Sequence, residues 1–194
     1  MRGRGCATPY TSIDPAVRHL ACIGLMAAGK SSVGRLLADE LGWPFIDVDD
    51  EIEARTGSTV AELYESGGEA AYRPLEREVV LEALAAEAPS VLAAPGGIAV
   101  DAAARRAIGA VDVVAIYLRA DPLTLAARVR DDPHERPLLE GDPAAALRQM
   151  FEDRDDVYRA LANIEVQVDR HSNAKVVRLV LQALTGGDAP RALP

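Results

Sequence analysis

The run Gly24-Leu25-Met26-Ala27-Ala28-Gly29-Lys30-Ser31 constrains this chain more than any other feature. It fits G-x-x-x-x-G-K-[ST], and its flanks are the ones that pattern requires. The apolar run HLACIG precedes it, and Val33, Leu36, Leu37 and Leu41 follow at helical spacing. A strand turning sharply into a helix leaves backbone N–H groups pointing into the turn. These add to the helix's N-terminal partial charge and make an anion cradle. In such a loop a lysine reaches the β- and γ-phosphates and a hydroxyl ligates Mg²⁺, which gives Lys30 and Ser31 their roles. The chain is expected to bind a nucleoside triphosphate.

The rest of the sequence repeats the alternation of strand and helix. HLACIG (19–24), PFIDVD (44–49), SVLAA (90–94), VDVVAIYL (111–118) and IEVQVD (164–169) read as five strands. Helical stretches start at Asp50 and cover about 59–86, the latter interrupted at Gly67-Gly68. Asp101, Asp121-Pro122 and Asp142-Pro143 supply N-caps and first-turn prolines for three more, the last running to about Ala162. Val177, Val180, Leu181 and Leu184 stripe a closing helix. This predicts a three-layer α/β/α fold of the P-loop NTPase type, with a five-stranded parallel sheet and ligands at the strand C-terminal ends. A single domain is expected over residues 18–186, between flexible tails at 1–17 and 187–194.

Charge narrows the partners. Lys and Arg number 21 against 30 Asp and Glu, a formal net charge of -9, which disfavours nucleic acids and anionic membranes because both need a basic face. Aromatic residues at 4% are too few for base-stacking platforms. No apolar run approaches a bilayer span, and the start, MRGRGCATPYTSIDP, lacks the hydrophobic region of a signal peptide. Cys6 and Cys22 make neither a disulfide framework nor a metal site. A cytoplasmic protein acting on a small anion is expected.

The phosphate loop alone does not separate GTPases, nucleotide kinases and small-molecule kinases, although the absence of N-K-x-D counts against a GTPase. Asp47 and Asp49 close the second strand and fall on one side of it if the chain stays extended. One carboxylate there can hold the water shell of Mg²⁺ and another can accept a proton, but an acidic helix cap explains the pair equally well. Arg73 and Glu76, spaced i,i+3, can form a solvated surface pair. Arg136 sits in DDPHERPLLEGDP, a charged, proline-containing stretch that reads either as a mobile lid over 131–142 or as an ordinary loop. Arg154, in FEDRDDVYRA, has four acidic neighbours, and ion pairing on the helix explains it. His134 and His171 stand without metal-ligand spacing.

In their order and spacing these pieces resemble the shikimate kinase family over nearly the whole chain, from about His19 to Leu184. They are GLMAAGKSS, FIDVDDEIE, RTG, EAAYRPLE, the glycine turn at 96–97, RPLL and DRDDVY. The resemblance implies transfer of the ATP γ-phosphate to the 3-hydroxyl of shikimate, in aromatic amino-acid biosynthesis, by a monomer that uses Mg²⁺. Carried over by position, Gly24, Ala27, Ala28, Gly29, Lys30, Ser31 and Ser32 hold the phosphates. Arg136 is similar to the lid arginine and Arg130 to the one that stacks near adenine. Asp49 resembles the carboxylate that binds the acceptor hydroxyls and acts as base, and Asp47 the one that holds a Mg²⁺-bound water. Arg73 and Arg154 resemble the pair that clamps the acceptor carboxylate, with Glu76 orienting Arg73, and Gly96 and Gly97 match backbone contacts to the acceptor.

Two positions depart from the family's pattern. Ala27 stands at the middle glycine of the loop, and Pro95 at the first of three family glycines. An alanine forced to positive φ costs about 1–3 kcal/mol, while Pro95 either stiffens the strand end or reshapes the acceptor pocket. Two other readings stay open: a kinase for another small cyclic or polyhydroxylated acid, and a nucleotide-binding sensor without turnover. Lys30, Ser31, Asp47, Asp49 and Arg136 together favour an enzyme.

Overall fold

The computed structural model describes residues 13–130 and 142–186. Five strands, β1 (His19–Ile23), β2 (Phe45–Asp47), β3 (Ser90–Ala93), β4 (Val113–Arg119) and β5 (Ile164–Gln167), form one sheet. Its order is β2-β3-β1-β4-β5 and every pairing is parallel. β1 therefore lies at the centre with β3 on one side and β4 on the other. Chain connections leave it in opposite directions, which opens a crevice at its C-terminal end. All five residues of β1 are buried, as a strand covered on both faces requires.

Seven α-helices cover the sheet among the described residues: α1 (Lys30–Leu41), α2 (Val48–Thr56), α3 (Val60–Ala85), α4 (Ala102–Ile108), α5 (Pro122–Arg130), α6 (Pro143–Leu161) and α7 (Asn173–Thr185). The aspartate signals cap as expected. Asp101 accepts from the backbone N–H groups of Ala103 and Ala104 at 2.9 and 2.8 Å, and Asp142 accepts from Ala144 at 3.0 Å. Asp121 accepts from Leu123 at 2.8 Å ahead of α5. α3 opens on a capping box between Thr59 and Glu62 and breaks at Gly68, whose φ of 63° and ψ of -165° are not helical.

At β2 the boundary differs from the sequence expectation. PFIDVD does not stay extended: β2 stops at Asp47, and α2 starts at Val48 instead of at Asp50. The Asp47 side chain accepts from the backbone N–H of Asp49 at 3.2 Å, and this cap outweighs the strand preference of Val48. Asp47 and Asp49 therefore face the same region through a helix cap, not as alternate residues of a strand.

Two buried polar positions anchor the far ends of the sheet. His19, fully buried, sets Nδ1 2.9 Å from the Ser90 Oγ and Nε2 3.2 Å from the Ala86 carbonyl. A carbonyl only accepts, so Nε2 carries the proton and Nδ1 receives the Ser90 hydroxyl. Burial lowers the His19 pKa and keeps this neutral form. At the other end, Asp155 of α6 accepts from the Tyr117 hydroxyl at 2.7 Å and from Arg119 Nε at 2.8 Å, both on β4. Burial works against its charge, but these hydrogen bonds win and hold its carboxyl below the usual range. Cys22 is a core residue, its thiol pushed up to about 12 by burial. Among the described residues no helix is long and apolar enough to cross a membrane.

Candidate active site

A cleft of about 990 Å³ opens beyond the C-terminal ends of β1, β2 and β3. Its phosphate side is the β1–α1 turn. Gly24 has φ 137°, and a Cβ there would lie 2.7 Å from the Leu118 carbonyl oxygen, so the strand leaves the sheet at this residue only as glycine. Gly29 caps α1 in the left-handed region and no side chain caps the helix, which leaves its first-turn N–H groups open to an anion. Lys30 lines the cleft and donates from Nζ to the Leu25 carbonyl at 2.9 Å, back across the loop. Ser31 and Ser32 are exposed on the same wall.

Ala27 is strained, as its departure from glycine predicts. Its φ is 59°, and it is the one non-glycine residue with positive φ among the described residues. Arg128 of α5 braces it, donating to the Ala27 carbonyl at 3.1 Å and to the Val168 carbonyl at 3.2 Å. Ala27→Gly should relieve a left-handed alanine, worth about 1–2 kcal/mol, against about 0.4–1 kcal/mol for the added freedom of the glycine. The melting temperature should rise by about 1–4 °C for a domain of this size. A fall on calorimetric melting would show that the loop carries no strain to relieve.

The wall opposite the phosphate loop is built on two glycines. Pro95 has φ -67° and ψ 154°, values natural to proline, so the substitution leaves the strand end undistorted. Gly96 and Gly97 then begin a short 3₁₀ segment, Gly96–Ala99. A Cβ on Gly97 would fall 1.9 Å from Arg73 Nη1 and 2.6 Å from Glu76 Oε2, and one on Gly96 would sit 3.8 Å from Arg154 Nη1. The two guanidiniums thus lie against consecutive glycines.

Arg73 is no solvated surface residue. Its side chain is 16% exposed and that of Glu76 7%. Arg73 Nη1 donates to Glu76 Oε2 at 2.5 Å, and Nη2 pairs with Glu69. Burial pushes the Glu76 carboxyl up to about 7 against the pull of Arg73. Arg154 also escapes the pairing that its acidic neighbours suggest. Asp155 is taken by β4, Asp153 accepts from Gln149 at 2.9 Å, and Arg154 makes no ion pair among the described residues. It donates to the Gly96 carbonyl at 3.3 Å, beside the Tyr158 hydroxyl, which donates to the same oxygen at 2.8 Å.

Between these walls stand the two aspartates of the β2–α2 cap. Asp47 and Asp49 both line the cleft. Asp49 is open to it, yet walled round by protein, and this partial desolvation raises its carboxyl above the usual range. A hydrogen bond from Tyr72 and the charge of Lys30 pull the other way.

The cleft includes side chains that sequence reasoning missed: Tyr64 and Tyr72 of α3, Arg128 of α5 and Asn173 of α7. The sequence expectation put Arg130 near adenine. Arg130 ends α5 exposed and does not line the described cleft, whereas Arg128 does. Residues two apart on a helix point to different sides, so one reaches the cleft and the other does not. Arg136 and the lid expected over 131–142 fall outside the described residues, except Asp142.

A phosphate loop at the switch point of a parallel sheet, facing a carboxylate and two convergent guanidiniums, defines a P-loop kinase. The chain belongs to the shikimate kinase family: the family described as "Shikimate kinase" matches residues 26–185. It is 43% identical over 163 residues to the shikimate kinase of Thiobacillus denitrificans, covering 84% of this chain and 87% of that one. It is 40% identical to that of Thermobifida fusca, over 84% and 92% of the two. Among solved structures it is similar to shikimate kinase from Acinetobacter baumannii in complex with shikimate, with a TM-score of 0.82 and 31% identity over 90% of this chain and 96% of that one. A gluconokinase from Sinorhizobium meliloti, at 22% identity and a TM-score of 0.62 over 86% and 90% of the chains, shares the fold.

Proposed function

We propose that this protein transfers the γ-phosphoryl group of ATP to the 3-hydroxyl of shikimate. The observation that carries the reading is the convergence of Arg73 and Arg154 on Gly96 and Gly97, in the cleft that the phosphate loop and Asp49 also line. A planar guanidinium recognises a carboxylate through paired charge-assisted hydrogen bonds, and two of them hold a small acid in one orientation. Glu76 and Glu69 fix the plane of Arg73, so its fork is set before the acceptor arrives.

With the acceptor so held, Asp49 takes the proton of the 3-hydroxyl while its oxygen bonds to the γ-phosphorus. The bond from that phosphorus to the β–γ bridging oxygen breaks, and ADP leaves. The raised Asp49 carboxyl is a better proton acceptor than an ordinary carboxylate. Lys30 and the open N–H groups of α1 stabilise the charge that develops on the phosphates. Ser31 and Asp47 are hard oxygen donors on the phosphate side of the cleft and fit a Mg²⁺ ion, Asp47 through a water. Bound there, the ion neutralises phosphate charge.

The reading carries with it a monomer that works in the cytoplasm on a small acidic polyol. ADP production with MgATP and a panel of shikimate, quinate and gluconate tests it. Turnover with shikimate is the expected result. Saturable ATP binding with no acceptor-stimulated turnover would replace the kinase by a sensor.

A further inference from the structure

Tyr72 of α3 reaches across the cleft to the carboxylate of the proposed base. Its ring is buried at 2% exposure and packs against Tyr64, with ring centroids 5.0 Å apart. Its hydroxyl donates to Asp49 Oδ1 at 2.6 Å, across from α3 to the first turn of α2. Among the described residues this is the only hydrogen bond that the hydroxyl makes. Burial and the adjacent carboxylate both raise the Tyr72 pKa, so the phenol stays protonated and remains a donor.

We propose that Tyr72 is a positioning residue for phosphoryl transfer: its hydroxyl occupies Asp49 Oδ1 and so fixes Oδ2 as the oxygen that receives the acceptor's proton. The proposal rests on the reading of Asp49 as the base. A carboxylate at the start of a helix turns freely about its last bond, and a proton acceptor that turns spends part of its time misaligned. The phenol removes that freedom, because its own orientation is set by the buried ring and by Tyr64. Asp47 and Asp50 face the carboxyl from its own turn, Lys30 from α1, and Tyr64, Tyr72 and Glu76 from α3. Of these, Tyr72 donates a hydrogen bond to its Oδ1.

Tyr72→Phe removes the hydroxyl and keeps the ring, and water in the cleft can reach the freed Oδ1, so the fold should stand. We expect kcat with shikimate to fall about three- to tenfold, with KM for ATP and the melting temperature unchanged. KM for shikimate should also hold, because the acceptor's carboxylate is gripped by Arg73 and Arg154, so the loss falls on kcat alone. Asp49→Asn, measured alongside, separates the two layers of the argument. Full turnover by Asp49→Asn would sink the assignment of the base itself. Loss of turnover there, with kcat unchanged in Tyr72→Phe, would overturn the role of Tyr72 alone. A Tyr72→Phe protein with a lowered melting temperature, and with kcat and both KM values changed together, would make Tyr72 a packing residue, which also overturns it.

Discussion

Lys30→Ala is expected to lower turnover by about 10²–10³-fold or more while the protein keeps its fold. The loss follows from where the ammonium stands. Lys30 is the first residue of α1, on the turn whose N–H groups are left without a side-chain cap, and phosphoryl transfer asks little of a protein beyond position and charge. Removing the one lysine of the loop takes its positive charge away from the place where the transition state develops negative charge. The fold should not follow, because α1 is held by Val33, Leu37 and Ala38 in the core, and Lys30 contributes a bond to the Leu25 carbonyl at the loop surface. ADP release and calorimetric melting on the same preparation test both halves. An active, normally folded Lys30→Ala protein would end the kinase mechanism.

The second large effect concerns the acceptor. Arg73→Lys and Arg154→Lys keep a positive charge and lose the planar fork. A charged hydrogen bond contributes roughly 1.5–3 kcal/mol, so acceptor affinity should weaken about ten- to a hundredfold in each variant. Lysine in place of Arg73 also cannot pair with Glu69 and Glu76 and still present a fork to a carboxylate, so that variant should be the worse of the two. ATP affinity should hardly change, since neither arginine belongs to the phosphate loop. Because both guanidiniums lie against adjacent glycines and address one carboxylate, the double variant should be less than additive. Calorimetry with shikimate and with ATP, titrated separately, decides it. Equal loss for both ligands would indicate a folding defect, and unchanged acceptor binding would show that no acid is held here.

The parts of this molecule that were legible in its sequence are those set by local rules. The phosphate loop carries its own flanks, and the aspartates at 101, 121 and 142 announce their helices because a short acceptor side chain satisfies N–H groups two and three residues on. At Asp47 the same rule is legible only as one of two readings, because FIDV looks extended, and the cap cuts the strand short. Contacts between distant elements leave no period to read. Nothing in the spacing of Tyr72 and Asp49, or of Arg128 and Ala27, shows that they meet. Arg154 is the instructive case. Its neighbours in sequence are acids, and its neighbour in space is a glycine carbonyl on another element, because β4 has already claimed Asp155. Ala27 and Pro95 look alike as lost glycines, yet only the first sits at positive φ, and only the backbone angles tell them apart.

One turn of α6 has a consequence for how such an enzyme diversifies. Arg154 reaches the Gly96 edge of the cleft, Asp155 is locked to Tyr117 and Arg119, and Tyr158 packs on Tyr117 with ring centroids 5.1 Å apart while its hydroxyl grips the Gly96 carbonyl. A mutation that slid or rotated this helix to admit a different acceptor would disturb the Arg119–Asp155 ion pair and the bonds from the Tyr117 and Tyr158 hydroxyls together. Drift in specificity is therefore blocked on this side by pleiotropy. The opposite rim, where Thr59, Val60 and Ala61 begin α3, carries a lighter burden: the Thr59–Glu62 capping box and a bond from the Val60 backbone N–H to Glu53. Descendants of this sequence that accept new acids would be expected to have changed there first, with α6 inherited nearly intact.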